Sequence, residues 1–162
     1  MDEAAQKGMD QALRLLTFCA RSEREMRDRL AQKGFGPEVI ERTVGRLREL
    51  GLLNDARLAQ DMADSRRQGG RGDYRIRQEL RKRGLPNDSI VHALDQVPAQ
   101  SSAERAWAAL QKRAPRMKGL DRDKAYRRLH GYLIRQGYSI DDTRTSLKRF
   151  FAGEPNEETT DP

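Results

Sequence analysis

The stretch "LRKRGL" at residues 80–85 sets the architecture of this chain, because closely similar stretches stand at two other places. They read "LAQKGF" at 30–35 and "LIRQGY" at 133–138. Each has a leucine, three residues that include Lys, Arg or Gln, a glycine and a bulky apolar residue. The glycines Gly34, Gly84 and Gly137 lie 50 and 53 positions apart. Self-similarity at a nearly fixed spacing indicates tandem structural repeats.

The residues around each motif predict a pair of helices. An apolar residue stands four positions before each leucine, a spacing that places both side chains on one helical face. The glycine is then expected to end that helix in the left-handed conformation. At one, six, ten and thirteen positions after the glycine, apolar residues recur and predict a second helix, with Thr143 as the exception: Phe35, Ile40, Val44, Leu47; Leu85, Ile90, Leu94, Val97; Tyr138, Thr143, Leu147, Phe150.

A third helical stretch precedes each pair, with Asn54 as the expected cap of the second and either Ser101 or Ser102 as that of the third. Ser22 and Glu25 have the spacing of a capping box at the start of the first middle helix. The sequence therefore predicts an all-α fold of nine helices in three tandem three-helix modules without a sheet. We place the modules at 1–55, 56–97 and 98–151, followed by a disordered acidic tail at 152–162.

Composition favours a slender, surface-rich molecule with an anionic partner. Hydrophobic residues make up 36% of the chain and charged residues 35%, with a net charge of +7. Residues 1–55 hold ten Lys/Arg and ten Asp/Glu, residues 56–97 nine and six, and residues 101–151 thirteen and five. No stretch approaches the roughly 20 apolar residues of a membrane span, so we expect a cytoplasmic protein and no membrane contact. The lone cysteine, Cys19, is expected to be buried.

Motifs for catalysis are sparse. The two histidines, His92 and His130, stand far apart, and no Cys/His cluster has zinc spacing. The glycines in "RRQGGRGDYR" lack the lysine and hydroxyl of a phosphate-binding loop, so we interpret this segment as a flexible basic linker. We therefore predict a non-enzyme with no catalytic residue, metal or cofactor.

The segment 65–83 predicts a basic binding face. It holds eight Lys/Arg and two acids around an aromatic residue, a pattern suited to phosphates and one stacked base. The alternative is a solvated face that binds nothing. The predicted binding residues are Arg66, Arg67, Arg71, Tyr74, Arg75, Arg77, Arg81 and Lys82.

A secondary basic patch is predicted in the third module. Trp107, the only tryptophan, is three positions before Leu110, so we interpret it as a core anchor in preference to a base-stacking platform. The patch comprises Lys112, Arg113, Arg116, Lys118, Arg122, Lys124, Arg127 and Arg128.

These features together resemble the RecX regulatory proteins of bacteria. The resemblance rests on the order of "ALRLLTFCARSEREMRDRLAQKGF", "VIERTVGRLRELGLLNDARLAQDMADSRR", "IRQELRKRGL" and "IVHAL". It runs from about Ala12 to Phe151 and is strongest from Leu13 to Leu94. Many relatives carry aromatic residues where Leu58 and Met62 stand, and Gly-Pro where Gly72 and Asp73 stand. Asp73 is expected to cap the middle helix here instead.

The resemblance implies three tandem three-helix repeats in an elongated, curved arrangement. It also implies binding to the RecA recombinase, chiefly to its filament on single-stranded DNA, with inhibition of its ATPase, strand-exchange and co-protease activities in recombination, DNA repair and the SOS response. A monomer is expected. The first alternative is a stand-alone basic helical protein that binds nucleic acid without the recombinase, and the second is an enzyme with an unrecognised site.

Overall fold

A computed structural model describes residues 2–96 and 101–153 of the chain. Within these residues the protein is all-α, with nine α-helices, one short 3-10 helix at Ala114–Met117 and no strand, as the sequence predicts. The helices are α1 (Glu3–Phe18), α2 (Glu23–Gln32), α3 (Pro37–Glu49), α4 (Asp55–Gln68), α5 (Asp73–Lys82), α6 (Asn87–Asp95), α7 (Ser102–Arg113), α8 (Arg122–Gln136) and α9 (Ile140–Ala152).

The described residues form two compact units. The first unit comprises Met1–Asp64 and Arg77–Gln96, and the second comprises Ser65–Ile76 and Val97–Pro162, each as far as it is described. Two of the three dividing points fall inside helices, one in α4 and one in α5, and the third follows α6. Helices α1–α3 and α6 therefore belong to the first unit, and α7–α9 belong to the second.

The repeated motif ends α2, α5 and α8 in the same way. In each copy the backbone N–H of the bulky apolar residue donates to the carbonyl of the motif leucine five positions earlier, at 3.2 Å every time. The glycine between them adopts a φ of +86° at Gly34, +72° at Gly84 and +95° at Gly137. This is the Schellman arrangement, in which the left-handed residue satisfies the last helical carbonyls. The predicted left-handed glycines are therefore confirmed.

The cap residues explain where other helices begin. Ser22 and Glu25 form the predicted capping box of α2, and Ser101 forms a capping box with Glu104 at α7. The Asn54 side chain accepts from the backbone N–H of Arg57 at 3.0 Å. Asp73 is different, because α5 already includes it and the Gly72 carbonyl accepts the first helical N–H, from Ile76. The predicted cap role of Asp73 is therefore wrong.

Each unit has its own apolar core. In the first, Met26 and Leu30 of α2 are fully buried with residues of α1 and α3, namely Ala12, Ile40, Val44 and Leu47. In the second, Leu129 and Leu133 of α8 are buried with Leu110, Tyr138, Leu147 and Phe151. Ile76 and Leu80, the corresponding residues of α5, are also fully buried. Thr143 occupies its core position despite its hydroxyl.

The structure corrects three details. Phe151 is buried in the core of the second unit, whereas Phe150, the residue of the predicted pattern, is only half-buried. Cys19 is exposed, because it follows the last residue of α1 in an extended conformation. Ala152 still belongs to α9, so the predicted tail begins one residue inside a helix. Val97, a residue of the predicted apolar pattern, lies outside the described residues. The rest of the predicted tail, 154–162, also lies outside them.

Candidate nucleic-acid interface

The positive charge of the protein belongs to one of the two units. The first unit holds fifteen Lys/Arg and fifteen Asp/Glu. The described residues of the second unit hold seventeen Lys/Arg and only six Asp/Glu. An anionic partner is therefore attracted to the second unit.

Five residues of the predicted basic face lie in the second unit, at the end of α4, in the following loop and at the start of α5. Tyr74 is exposed, whereas Arg66, Arg71 and Arg75 are half-buried. Arg67 is only 8% exposed, and its Nε donates to the Asp73 carboxylate at 3.1 Å. The prediction of a surface position for Arg67 is therefore wrong, because this buried guanidinium pairs with the partly exposed Asp73 carboxylate.

A second buried arginine converges on the same carboxylate. Arg105 of α7 is 7% exposed, and its Nη2 donates to Asp73 Oδ1 at 3.2 Å. Its Nη1 donates to the Arg71 carbonyl at 3.3 Å. Two guanidinium groups on one carboxylate leave an excess of positive charge beside the loop. Sequence reasoning missed this cluster because 32 positions separate Arg105 from Asp73.

The loop between α4 and α5 is held tightly against the α8–α9 junction. The backbone N–H of Gly72 donates to the Gln136 carbonyl at 2.8 Å, and that of Tyr74 donates to the Gly137 carbonyl at 3.2 Å. The Tyr138 hydroxyl donates to the Gly70 carbonyl at 2.6 Å. A Cβ atom at Gly72 would lie 2.3 Å from the Gly137 backbone. The segment is therefore an anchored platform, not the flexible linker that its glycines suggest.

Burial keeps the anchoring hydroxyl protonated. It raises the pKa of Tyr138 from 10.0 to about 12, and the nearby carboxylates of Asp73 and Asp142 act in the same direction. The positive charge of Arg105 opposes this shift without cancelling it. Tyr138 therefore remains a hydrogen-bond donor at physiological pH.

The other three residues of the predicted face lie in the first unit. Arg81 and Lys82 are exposed at the end of α5, and Arg77 is half-buried. Within the described residues, no carboxylate lies within 4 Å of these three cations. Their charges are therefore available to a partner.

The predicted secondary patch lies wholly in the second unit. Arg113 is half-buried, with its guanidinium 5.1 Å from the centre of the Tyr132 ring. Arg122 lies 5.6 Å from the Phe151 ring centre, and Lys124 pairs with Asp121 at 3.5 Å. Arg113 is the one half-buried cation of the patch. The remaining seven are exposed: Lys112, Arg116, Lys118, Arg122, Lys124, Arg127 and Arg128.

Helix α9 adds cations that the sequence analysis did not single out. Arg144, Lys148 and Arg149 are exposed, and none forms an ion pair within the described part of the chain. The Arg149 guanidinium lies 4.1 Å from the centre of the Trp107 ring. The signal was present in "TRTSLKRFF", where three cations stand within six residues.

We found no arrangement suited to metal binding in residues 2–96 and 101–153, where no three His, Cys, Asp or Glu side chains converge. His92 lies 3.2 Å from the Gln96 amide, and the His130 ring stacks with Tyr126. Among the described helices, none is both long and apolar enough to span a membrane.

Comparison with known proteins gives matches along most of the chain. Three family models match in order: the first RecX three-helix domain at residues 9–47, the second at 54–94 and the third at 100–147. Proteins named Regulatory protein RecX are similar in sequence. That of Streptomyces lividans is 37% identical over 128 residues, which cover 78% of this chain and 68% of the relative. That of Prosthecochloris aestuarii is 34% identical, and the match covers 90% of this chain and 95% of the relative.

The fold is similar to solved structures with the same name. The crystal structure of RecX from Lactobacillus salivarius superposes with a TM-score of 0.83 at 21% identity, covering 94% of this chain and 99% of that one. A second crystal structure, of regulatory protein RecX, superposes with a TM-score of 0.78 at 22% identity. This match covers 94% of this chain and 74% of that one. From the domain matches and the sequence relatives together, this chain belongs to the RecX family of regulatory proteins.

Proposed function

We propose that this protein binds the RecA recombinase, chiefly as its filament on single-stranded DNA, and thereby inhibits RecA ATPase, strand-exchange and co-protease activities. Such control would act in recombination, DNA repair and the SOS response. The proposal rests on membership of the RecX family. On this account the protein acts in the cytoplasm as a monomer, by binding alone, without catalysing a reaction and without a cofactor.

The observation that carries the proposal is the charge of the second unit. Its described residues hold seventeen cations and six acids, and many of the cations are exposed. A protein–DNA filament presents phosphates together with protein surface, so a partner needs cations in one region and a less charged surface in another. The second unit supplies the cations, and the neutral first unit supplies the less charged surface.

Within the second unit we assign DNA contacts to Arg66, Arg71, Tyr74 and Arg75 beside the anchored loop, and further contacts to the secondary patch. Arg67 contributes indirectly, because its pairing with Asp73 holds the start of α5. In the first unit we assign contacts to Arg77, Arg81 and Lys82. Replacing Arg77 and Arg81 by Glu should weaken filament binding in a protein that still folds, because neither side chain has a carboxylate partner in the described chain. Full activity of that folded double variant would refute this assignment.

A second candidate function is favoured by the same charge. A basic helical protein can bind bare nucleic acid through phosphates alone, and such binding weakens steeply with salt. If six to ten phosphates are contacted, affinity falls by about 10³ to 10⁵ between roughly 50 and 200 mM salt. A filament-directed regulator keeps much of its affinity at a salt concentration that removes it from bare DNA.

Fluorescence anisotropy separates the two candidates. A labelled copy of the protein is titrated with single-stranded DNA and, in parallel, with RecA filaments preassembled on that DNA, at physiological salt. We expect much tighter binding to the filament and inhibition of RecA ATPase over the same concentration range. Equal affinity for both would favour the bare nucleic-acid binder and contradict the proposed function.

A further inference from the structure

Trp107, the only tryptophan of the chain, is held at the surface of the second unit. Its side chain packs against the core formed by α7, α8 and α9 but is only half-buried. The guanidinium of Arg149 lies 4.1 Å from the ring centre, a distance at which it covers one face of the indole. Arg149 is itself exposed. One face of the ring is therefore covered by a side chain that is free to move into solvent.

The surroundings of this ring are positively charged. Helices α7 and α9 run side by side, since Ser102 donates to Asp142 at 2.7 Å near their starts and Trp107 meets Arg149 further along. Arg144 and Lys148 are exposed on α9 and form no ion pair with any described residue. The acids of these two helices, Glu104, Asp141 and Asp142, all lie in the first turns. The ring thus lies beyond the acidic ends, under Arg149 and on a helix pair whose other exposed cations include Arg144 and Lys148.

We propose that Trp107 is a stacking platform for one base of single-stranded DNA, and that Arg149 leaves the ring to bind a backbone phosphate. This inference deepens the proposed function and depends on its DNA contact. A base stacks on an aromatic side chain more strongly than an exposed guanidinium does, so the base displaces Arg149. The guanidinium then gains a charged partner within reach of Lys148 and Arg144.

The geometry accounts for the kind of nucleic acid that fits. Every base has a π-face, so the platform accepts any sequence. In a duplex both faces of a base are already stacked, and the platform therefore selects single strands. Trp107 packs on the same core as the fully buried Leu110 and Leu147, but it is only half-buried, so part of its ring stays accessible to a base.

The intrinsic fluorescence of Trp107 reports on this contact without a label on the protein. The full chain is titrated with oligothymidylate and with an abasic sugar-phosphate oligomer of equal length, and anisotropy of the labelled oligomers records binding. We expect oligothymidylate to quench the tryptophan at saturation and the abasic oligomer to bind without comparable quenching. Equal quenching by both, or saturable binding of oligothymidylate without quenching, would overturn the inference.

Two matched variants test the energetic role. Trp107→Leu should bind oligothymidylate about fivefold to tenfold more weakly and the abasic oligomer with unchanged affinity. Phe150→Leu is the control, because Phe150 is also a half-buried aromatic residue packed on the same core but has no cation over its ring. Circular dichroism verifies that both variants fold. A stacking role would be contradicted if Phe150→Leu lost as much affinity for oligothymidylate as Trp107→Leu. It would also be contradicted if Trp107→Leu lost as much affinity for the abasic oligomer as for oligothymidylate.

The same titrations distinguish this inference from the proposed function. If Trp107→Leu binds single-stranded DNA and RecA filaments as tightly as the unaltered chain, the stacking platform is refuted and the proposed function stands. If the unaltered chain binds neither ligand, both are refuted.

Discussion

The two compact units are built from the same motif and differ in how many of their surface cations are paired. In the first unit, several surface arginines pair with carboxylates, such as Arg27 with Glu41 at 2.8 Å and Arg42 with Glu38 at 2.8 Å. Arg77, Arg81 and Lys82 at its α5 end are exceptions without a carboxylate partner in the described chain. In the second unit, the buried Arg67 and Arg105 both pair with Asp73, whose side chain is partly exposed. Its exposed Arg116, Lys118, Arg128, Arg144 and Lys148 have no carboxylate partner in the described chain.

This difference shows how a repeat can keep its fold while its surface charge changes. The helix ends depend on the motif leucine, the glycine and the residue after it, and none of these is charged. Surface ion pairs contribute little to stability, so the exposed positions can change sign freely. A surface whose charges are mutually neutralised suits contact with protein, whereas a surface of unpaired cations suits phosphate.

The largest predicted difference between the units concerns two glycines. Gly72→Ala would place a Cβ 2.3 Å from the Gly137 backbone, and we expect it to destabilise the protein by about 3 kcal/mol. Gly45 lies inside α3 with open space around its Cβ position, so Gly45→Ala should stabilise the protein by about 0.5–1 kcal/mol. Urea unfolding measures both. A Gly72→Ala variant of unchanged stability would contradict the anchored loop.

A smaller effect is expected at the ion pair of Glu25 and Arg83 in the first unit. Burial opposes ionisation of Glu25, but hydrogen bonds from the Arg83 guanidinium and the Ser22 backbone outweigh it and lower the pKa of Glu25 from 4.5. Because the folded pKa lies below the unfolded value, this carboxylate stabilises the fold above about pH 4.5, and the contribution is lost as pH falls through the folded pKa. Glu25→Gln should cost about 2 kcal/mol at neutral pH.

Unfolding of Glu25→Gln and of the unaltered chain is compared at pH 7 and in acid, where the difference should shrink. Glu41→Gln serves as the control, since Glu41 pairs with Arg27 on the surface with its side chain 61% exposed, and its cost should be smaller. If the two variants lost equal stability, the pair of Glu25 and Arg83 would have no special role.

The smallest stability effect is expected at a hydrogen bond of the second unit, from the Tyr138 hydroxyl to the Gly70 carbonyl. Tyr138→Phe removes the donor to the Gly70 carbonyl and should cost about 1 kcal/mol. Because burial raises the folded pKa of Tyr138 to about 12, the protonated hydroxyl stabilises the fold fully below about pH 10, and this contribution is lost as pH rises through 12. Tyr138→Phe should lack that alkaline loss.

Stability measured from pH 8 to pH 12 tests this expectation. Tyr126→Phe is the control, because Tyr126 is 40% exposed, and it should leave the alkaline loss unchanged. An identical alkaline profile for Tyr138→Phe and the unaltered chain would mean that another group titrates.

The sequence predicted local features well and long-range ones poorly. Three Schellman ends and the caps Ser22, Asn54 and Ser101 follow from residues within a few positions of one another, so their spacing was sufficient. The pairing of Asp73 with Arg105 joins residues 32 positions apart, and no local pattern predicts that contact. Helical periodicity also failed to distinguish Phe150 from Phe151, because both lie near the buried face of α9.

The candidate site was predictable in composition but not in detail. The excess of cations after residue 65 was plain in the sequence, yet Arg67 proved buried. The contact of Arg149 with Trp107 joins two residues that are more than 40 positions apart in the sequence. Charge counts identify the region that meets an anionic partner, whereas the side chains available to it depend on tertiary packing.

The central claim, that the second unit meets the phosphates, is tested most directly by the salt dependence of filament binding in two matched triple variants. One variant changes Arg116, Lys118 and Arg128 of the second unit to Gln, and the other changes the ion-paired Arg42, Arg46 and Arg57 of the first. Both remove three exposed charges. If each second-unit cation contacts a phosphate, that variant should reduce the slope of log affinity against log salt by about 2, with little change for the first-unit variant. Equal reductions, or a larger one for the first unit, would contradict the account.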